Sequence, residues 1–169
     1  GWLLMSATRP ILESILVHLQ AALPNYAVEM FPEQPDAYQF MHPNGAVLIG
    51  YQGSKFKELD DLDLITQQRN VIVHFTVFGR GVHSDGGALD LLDGLRLAIV
   101  GFQPINCQRC HLIEEAFLTE DAGAWQYQLR VQTETLQVEK RAESNLPKFV
   151  EAIYRQRDQP LDPNLKPKP

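Results

Sequence analysis

The sequence AWQYQLRVQTETLQ at residues 124–137 alternates apolar or aromatic side chains with polar ones. Its apolar positions are Trp125, Tyr127, Leu129 and Val131, with Gln126, Gln128, Arg130 and Gln132 between them. Because successive side chains of a strand point to opposite faces, this period predicts a strand with one covered face and one wet face. Residues 111–119 predict its partner, and the turn at residues 120–123, with Gly123 suited to a positive φ, predicts a β-hairpin.

Three further strands precede the hairpin. Residues 69–78 are apolar on both alternating faces: Val71, Val73, Phe75 and Val77 on one, Ile72, His74, Thr76 and Phe78 on the other. Residues 27–31 and 46–52 predict two more strands, and His42-Pro43-Asn44-Gly45 predicts the turn before the second.

Two segments have helical periodicity. Residues 10–23 repeat apolar side chains at three- and four-residue spacing, with Thr8 as the predicted cap, and residues 88–100 do so until Gly101. The order of elements predicts an α+β fold, with a mixed or antiparallel central sheet of about five strands and helices on one face.

We divide the 169 residues into a domain at 6–137, a C-terminal helical extension at 138–158 and a Pro/Lys-rich flexible tail at 159–169. The extension contains a predicted helix at residues 146–157. No run approaches the ~18 apolar residues of a membrane span, so we expect no membrane partner. A free nucleic-acid binder normally has a basic face, and a formal net charge of −6 gives no reason to expect one. Two cysteines without an export signal favour a reducing compartment.

A glycine-rich loop from Gly79 to Gly87 precedes the second helix and contains Arg80, His83 and Asp85. Such a loop can hold an anion with backbone N–H groups, which makes a small anion-binding enzyme one alternative. Its spacing matches no nucleotide-binding fingerprint. A turn in which Ser84 or Asp85 caps the helix is favoured.

Residues 53–63 predict an exposed acidic loop with Glu58, Asp60, Asp61 and Asp63. These residues lack the spacing of a calcium loop. A solvated loop that meets another subunit or molecule is the better interpretation. With Arg80, His83 and Asp85 they form our set of candidate interface residues.

Cys107-Gln-Arg-Cys110-His111 matches the attachment pattern of c-type haem, but that chemistry requires export. Two cysteines and one histidine are too few for a zinc site. We therefore interpret Cys107 and Cys110 as ordinary thiols. Glu114 and Glu115 should point to opposite faces, so that one of them faces the helices, in a buried ion pair or an intersubunit contact. His74 is expected to be a satisfied interior or interface histidine.

Several phrases, in order, resemble the Mu-like phage and prophage tail-terminator family. They are Phe31-Pro32, His42-Pro43-Asn44-Gly45-Ala46, Gly86-Gly87-Ala88 with Leu91-Leu92-Asp93, Gly101-Phe102-Gln103-Pro104, and Glu115-Ala116-Phe117 with Trp125-Gln126-Tyr127. They fall between about Ile11 and Thr133. The cysteine motif and the extension after about Gln137 depart from the family pattern.

The resemblance implies a structural virion protein of the tail or neck, assembled in the host cytoplasm. It implies a hexameric ring that caps the head-proximal end of a contractile tail, with tube, sheath and head–tail connector proteins as partners. Genomic DNA would pass through the lumen without specific binding. No catalytic, cofactor or metal residue is assigned. Another neck, tail-completion or baseplate adaptor role is the second alternative.

Overall fold

A computed structural model of the chain describes residues 6–59 and 64–140. The chain divides into two compact units, residues 1–138 and 139–169. The predicted helix at 146–157 and the tail at 159–169 lie outside the described residues. In the described ranges, no helix has the length and apolarity needed to cross a bilayer.

The first unit is an α+β domain, as predicted. Its elements are α1 (Thr8–Ala22), β1 (Ala27–Met30), β2 (Gly45–Phe56), β3 (Thr66–Arg80), α2 (Ala88–Ile99), β4 (His111–Asp121) and β5 (Ala124–Val138). The strands form one mixed sheet in the order β1-β2-β3-β5-β4. This order places β1 and β4 at the two edges of the sheet. Among the described pairs, β1–β2 is parallel and the other three are antiparallel.

Both helices pack on one face of the sheet, which confirms the predicted layering. The main core joins them to the predicted inward positions of the central strands: Ile11, Ile15, Leu19, Leu91, Leu92, Leu95, Ile99, Val71, Val73, Phe75, Val77, Leu129 and Val131. Complete burial of one such side chain contributes about 1.5–3 kcal/mol. These contacts fix the register, because a one-residue slip would turn every inward side chain outward.

The opposite face has a smaller cover over β1, β2 and β3 only. Phe78 contacts the rings of Tyr38 and Phe40 at centroid distances of 5.4 and 5.3 Å. Ala46 and Leu48 complete this second cluster. Over β5 the glutamines are partly exposed, and of the four positions predicted to be covered Leu129 and Val131 are buried whereas Trp125 and Tyr127 are only partly so.

Three local predictions were wrong. Ala7 is the N-cap residue of α1 and makes no side-chain cap bond, while the Thr8 hydroxyl accepts a bond from Arg69 instead. β2 continues to Phe56, so residues 53–56 are strand rather than loop, after a register shift between Tyr51 and Gly53. The hairpin turn is the two residues Ala122 and Gly123, both with positive φ, since β4 reaches Asp121.

Candidate functional site

The two groups of predicted interface residues lie at opposite ends of β3. Arg80 is its last residue, and the loop with Glu58 joins β2 to its first residue, Thr66. A strand of 15 residues is roughly 45 Å long, at about 3.3 Å per residue. The described candidates therefore do not form one site.

Arg80 anchors a neighbouring loop. Its guanidinium carbon lies 4.0 Å from the centroid of the Phe40 ring. It donates hydrogen bonds to the carbonyl oxygens of Phe40 and His42 at 3.2 and 3.4 Å. This cation–π contact and the two bonds hold the segment that covers Phe78, so Arg80 has a structural role that the sequence pattern did not reveal.

The glycine-rich loop uses its backbone donors internally. Gly86 N–H donates to the Asp90 carboxylate at 2.7 Å, and Gly87 N–H to the Ser84 carbonyl at 2.9 Å. Ala88 and Leu89 N–H donate to carbonyls earlier in the loop at 3.0 and 3.3 Å. An anion at this helix start would have to displace these bonds and face a carboxylate, which disfavours the anion-binding alternative.

The prediction that Ser84 or Asp85 caps α2 was wrong. Gly87 is the N-cap residue without a side-chain cap bond, and Ser84 Oγ donates to the Arg80 carbonyl at 3.4 Å. The carboxylate near the helix start is that of Asp90, in the first turn of α2. His83 and Asp85 are exposed.

The β2–β3 loop is held at its described start. Lys57 N–H donates to the Gln68 carbonyl at 3.0 Å, and Gln67 Nε2 donates to the Lys57 carbonyl at 2.6 Å. Glu58 is exposed next to this clamp. Asp60, Asp61 and Asp63 lie outside the described residues.

Cys107 and Cys110 are buried in the main core, with 4% and 3% of their surfaces exposed. Burial raises the pKa of both thiols; that of Cys110 rises to about 12, with Cys107 adding to the effect. His111 is exposed at the start of β4. The two thiols are therefore protonated packing groups at neutral pH, as the preferred interpretation held. Among the described residues, no three His, Cys, Asp or Glu side chains are grouped to hold a metal.

His74 differs from its prediction. It is half-buried on β3, where its buried Nδ1 has no hydrogen-bond partner among residues 6–59 and 64–140. Burial lowers the pKa of the imidazole below its ordinary 6.5. The ring contacts Phe31 edge-on at 5.3 Å. His74 is interior but not satisfied.

Arg69 forms a buried hub that the sequence did not indicate. Its guanidinium donates to Ser54 Oγ at 2.8 Å, Thr8 Oγ1 at 2.7 Å, Tyr51 OH at 3.1 Å and the Ser6 carbonyl. Only 6% of the residue is exposed. No carboxylate of residues 6–59 or 64–140 pairs with it. The hub ties the start of α1 to β2 and β3.

β4 is exposed along its whole length and is apolar in part. Leu112 and Phe117 lie opposite Val131 and Tyr127 and so share the helix face, yet they are 39% and 51% exposed because no described element covers them. Glu115 pairs with Arg96 of α2, and Glu114 with Arg130 on the other face. The opposite orientation is confirmed, but both ion pairs are exposed rather than buried.

An open polar cleft of about 870 Å³ lies beside the last residues of β5. It is lined by Gln68, Gln103, Asn106, Gln108, Arg109, Glu134, Thr135 and Leu136. Arg109 donates to the Gly101 carbonyl at 3.0 Å. The cleft is rich in amides and contains one charge of each sign, so it has no chemistry specific to one ligand.

The fold and these surfaces define a small α+β domain with an exposed acidic edge strand. The Gp37 protein family model matches residues 15–156, which is most of the chain. The chain therefore belongs to the Gp37 family, a phage-associated protein family, and the family indicates a phage structural or tail-related protein associated with the virion. No curated protein matches the chain.

Proposed function

We propose that this protein is a tail terminator: a ring-forming subunit that caps the head-proximal end of a contractile tail, stops tube and sheath growth, and joins the tail to the head connector. Membership of a phage-associated family and the resemblance of residues 11–133 to Mu-like terminators support the proposal. The observation that carries it is the β4 edge, eleven exposed residues with apolar side chains among them. Proteins normally pair or cover such an edge, as subunits of a closed ring do.

On this proposal the chain is a structural subunit rather than an enzyme. The occupied backbone donors at residues 86–89 favour it over the anion-binding alternative, which predicts that phosphate or a nucleotide raises the melting temperature. A melting temperature that is the same with and without these ligands supports the structural role.

Deletion of the gene from its phage, followed by electron microscopy of the lysate, tests the function. The proposal predicts tails of uncontrolled length that are not joined to heads, with rescue by the gene supplied in trans. Tails of normal length that lack heads would support the neck or connector alternative. Normal-length tails joined to heads would contradict both.

The acidic β2–β3 loop is our candidate for the ring lumen, since like charge repels the phosphates of passing DNA. Reversal of Glu58, Asp60, Asp61 and Asp63 to Lys should leave tail length normal but slow DNA passage. Tails of uncontrolled length from this variant would place the loop at the tube interface instead.

A further inference from the structure

The sheet has two open edges of unlike character. At one end, β4 exposes its outer side along all eleven residues. At the other end, β1 pairs with β2 only up to Ile49, and among the described residues no strand continues beside β2 from there to Phe56. Both edges offer backbone groups to a further strand.

The two edges match on the helix side of the sheet. On β4 the side chains facing that way include Leu112 and Phe117, together with Glu120 and with Glu115, which is paired with Arg96. On β2, Tyr51 and Phe56 lie opposite Val73 and Arg69 and share the same face; they are 41% and 54% exposed. Cross-strand pairs of aromatic and aliphatic side chains stabilise adjacent strands.

They also match on the other side. Lys55 lies opposite Asn70, away from the helices, and Lys57 follows by alternation just beyond the strand. Neither lysine has an ion-pair partner among the described residues. On β4 the same side contains Glu114 and Asp121. Thus Leu112 and Phe117 of one edge can meet Tyr51 and Phe56 of the other, and Lys55 and Lys57 can meet Glu114 and Asp121.

We infer that β4 of one subunit pairs with the outer half of β2, residues 50–56, of a second copy of this chain. Contact between unlike edges leaves one of each open in the pair, so the same contact repeats from subunit to subunit and can close into a ring. The inference rests on the proposed function and specifies the subunit contact within it.

Charge argues against the symmetrical alternative of β4 against β4. The strand contains Glu114, Glu115, Glu120 and Asp121 and no lysine or arginine. Two copies side by side would bring eight carboxylates into one contact, and like charges opposite each other destabilise paired strands. The β2 edge, with Lys55 and Lys57, is disfavoured against itself for the same reason.

Two variants of the full chain test the contact by light-scattering mass measurement after size exclusion. The β4 variant is Leu112→Lys with Asp121→Lys, and the β2 variant is Lys55→Glu with Lys57→Glu. The control for the β4 variant is Val17→Lys with Glu13→Lys, which likewise replaces one apolar and one acidic side chain by lysine, at exposed positions of α1. Circular dichroism verifies that all three fold.

The parent and the control should have a mass several times 19.2 kDa, and each edge variant alone should fall to 19.2 kDa. An equal mixture of the two variants should assemble beyond 19.2 kDa, because the intact β2 edge of one variant can pair with the intact β4 edge of the other. If the β4 variant becomes monomeric while the β2 variant still assembles, β4 pairs with itself, which contradicts the inference. Assembly unaffected by either variant, or a parent that stays monomeric at its highest soluble concentration, would also contradict it.

The outcome is separable from that of the proposed function. Normal tail length in phage that lack the gene would contradict the terminator role, whatever the mass measurement shows. Uncontrolled tail length together with intact assembly of both variants would contradict only the proposed pairing of β4 with β2.

Discussion

His74 closes over Gly50 across β2 and β3: a Cβ on Gly50 would lie 2.2 Å from Nε2 of the imidazole. The ring has little room to move, because Phe31 packs against it. The sheet thus requires glycine at this position for close approach rather than for an unusual φ.

Gly50→Ala should lower the free energy of unfolding by about 1–3 kcal/mol, the usual cost of overpacking. The measurement is chemical denaturation monitored by tryptophan fluorescence. Gly94→Ala is the control, since its Cβ would meet Leu23 at an ordinary 3.4 Å within α2. It should be neutral or stabilising, by up to ~1 kcal/mol. Equal stability of Gly50→Ala and the parent would show that His74 does not occupy this site.

His74 should make stability depend on pH. Its folded pKa lies below the ordinary 6.5 because of burial, so below about pH 6.5 the unfolded chain binds a proton that the folded chain resists. The stability that the neutral His74 contributes is therefore fully present above pH 6.5 and is lost as the pH falls toward the folded pKa. The neighbouring charged pair, Arg130 with Glu114, lies in the same row of the sheet.

His74→Gln should therefore lose less stability than the parent between pH 7.5 and 5.5, as measured by denaturant titration at each pH. Parallel curves for the parent and His74→Gln would refute the buried-histidine account.

Arg69→Met should lower the free energy of unfolding by roughly 2–4 kcal/mol, because it removes charged hydrogen bonds to Ser54, Thr8 and Tyr51 and leaves the Ser6 carbonyl without its donor. Hydrogen exchange should quicken at the start of α1. Arg109→Met, which removes one exposed bond to Gly101, should change stability by no more than ~0.5 kcal/mol. Similar losses in both variants would argue against the hub.

Cys107 and Cys110 should resist modification in the folded protein. Their raised pKa values leave almost no thiolate at pH 8, so reaction with a disulfide reagent should be at least ~100-fold slower than in denaturant. Our sequence-based expectation that both can become Ser without consequence required them not to be deeply packed, a condition that their burial does not meet. Rapid labelling of native protein, a haem absorption band or stoichiometric zinc would contradict this account.

The sequence predicted the sheet and its helix layer because burial follows a simple period there. Val71, Val73, Phe75 and Val77 alternate without interruption, and all four belong to the core cluster that includes the helices. The hairpin was predicted for the same reason. In both cases many side chains follow the same alternation of buried and exposed positions.

Prediction was poorer where a side chain acts alone or an element lacks a covered face. The end of β2 looked like a loop because it pairs only with β3 on one side and its residues remain wet. Arg69 stands at the start of an apolar run, and nothing local shows that Thr8 and Ser54 will surround it. Phe117 is 51% exposed because no described element covers it, which no pattern within β4 records.

The most direct test of the central claim is a cryo-electron microscopy map of the head-proximal end of the tail in the native virion. The account predicts a ring of six copies on the last tube layer, with residues 6–59 and 64–140 fitting the density and β4 of each copy beside β2 of the next. Density for this chain only at the baseplate, or its absence from the virion, would contradict it.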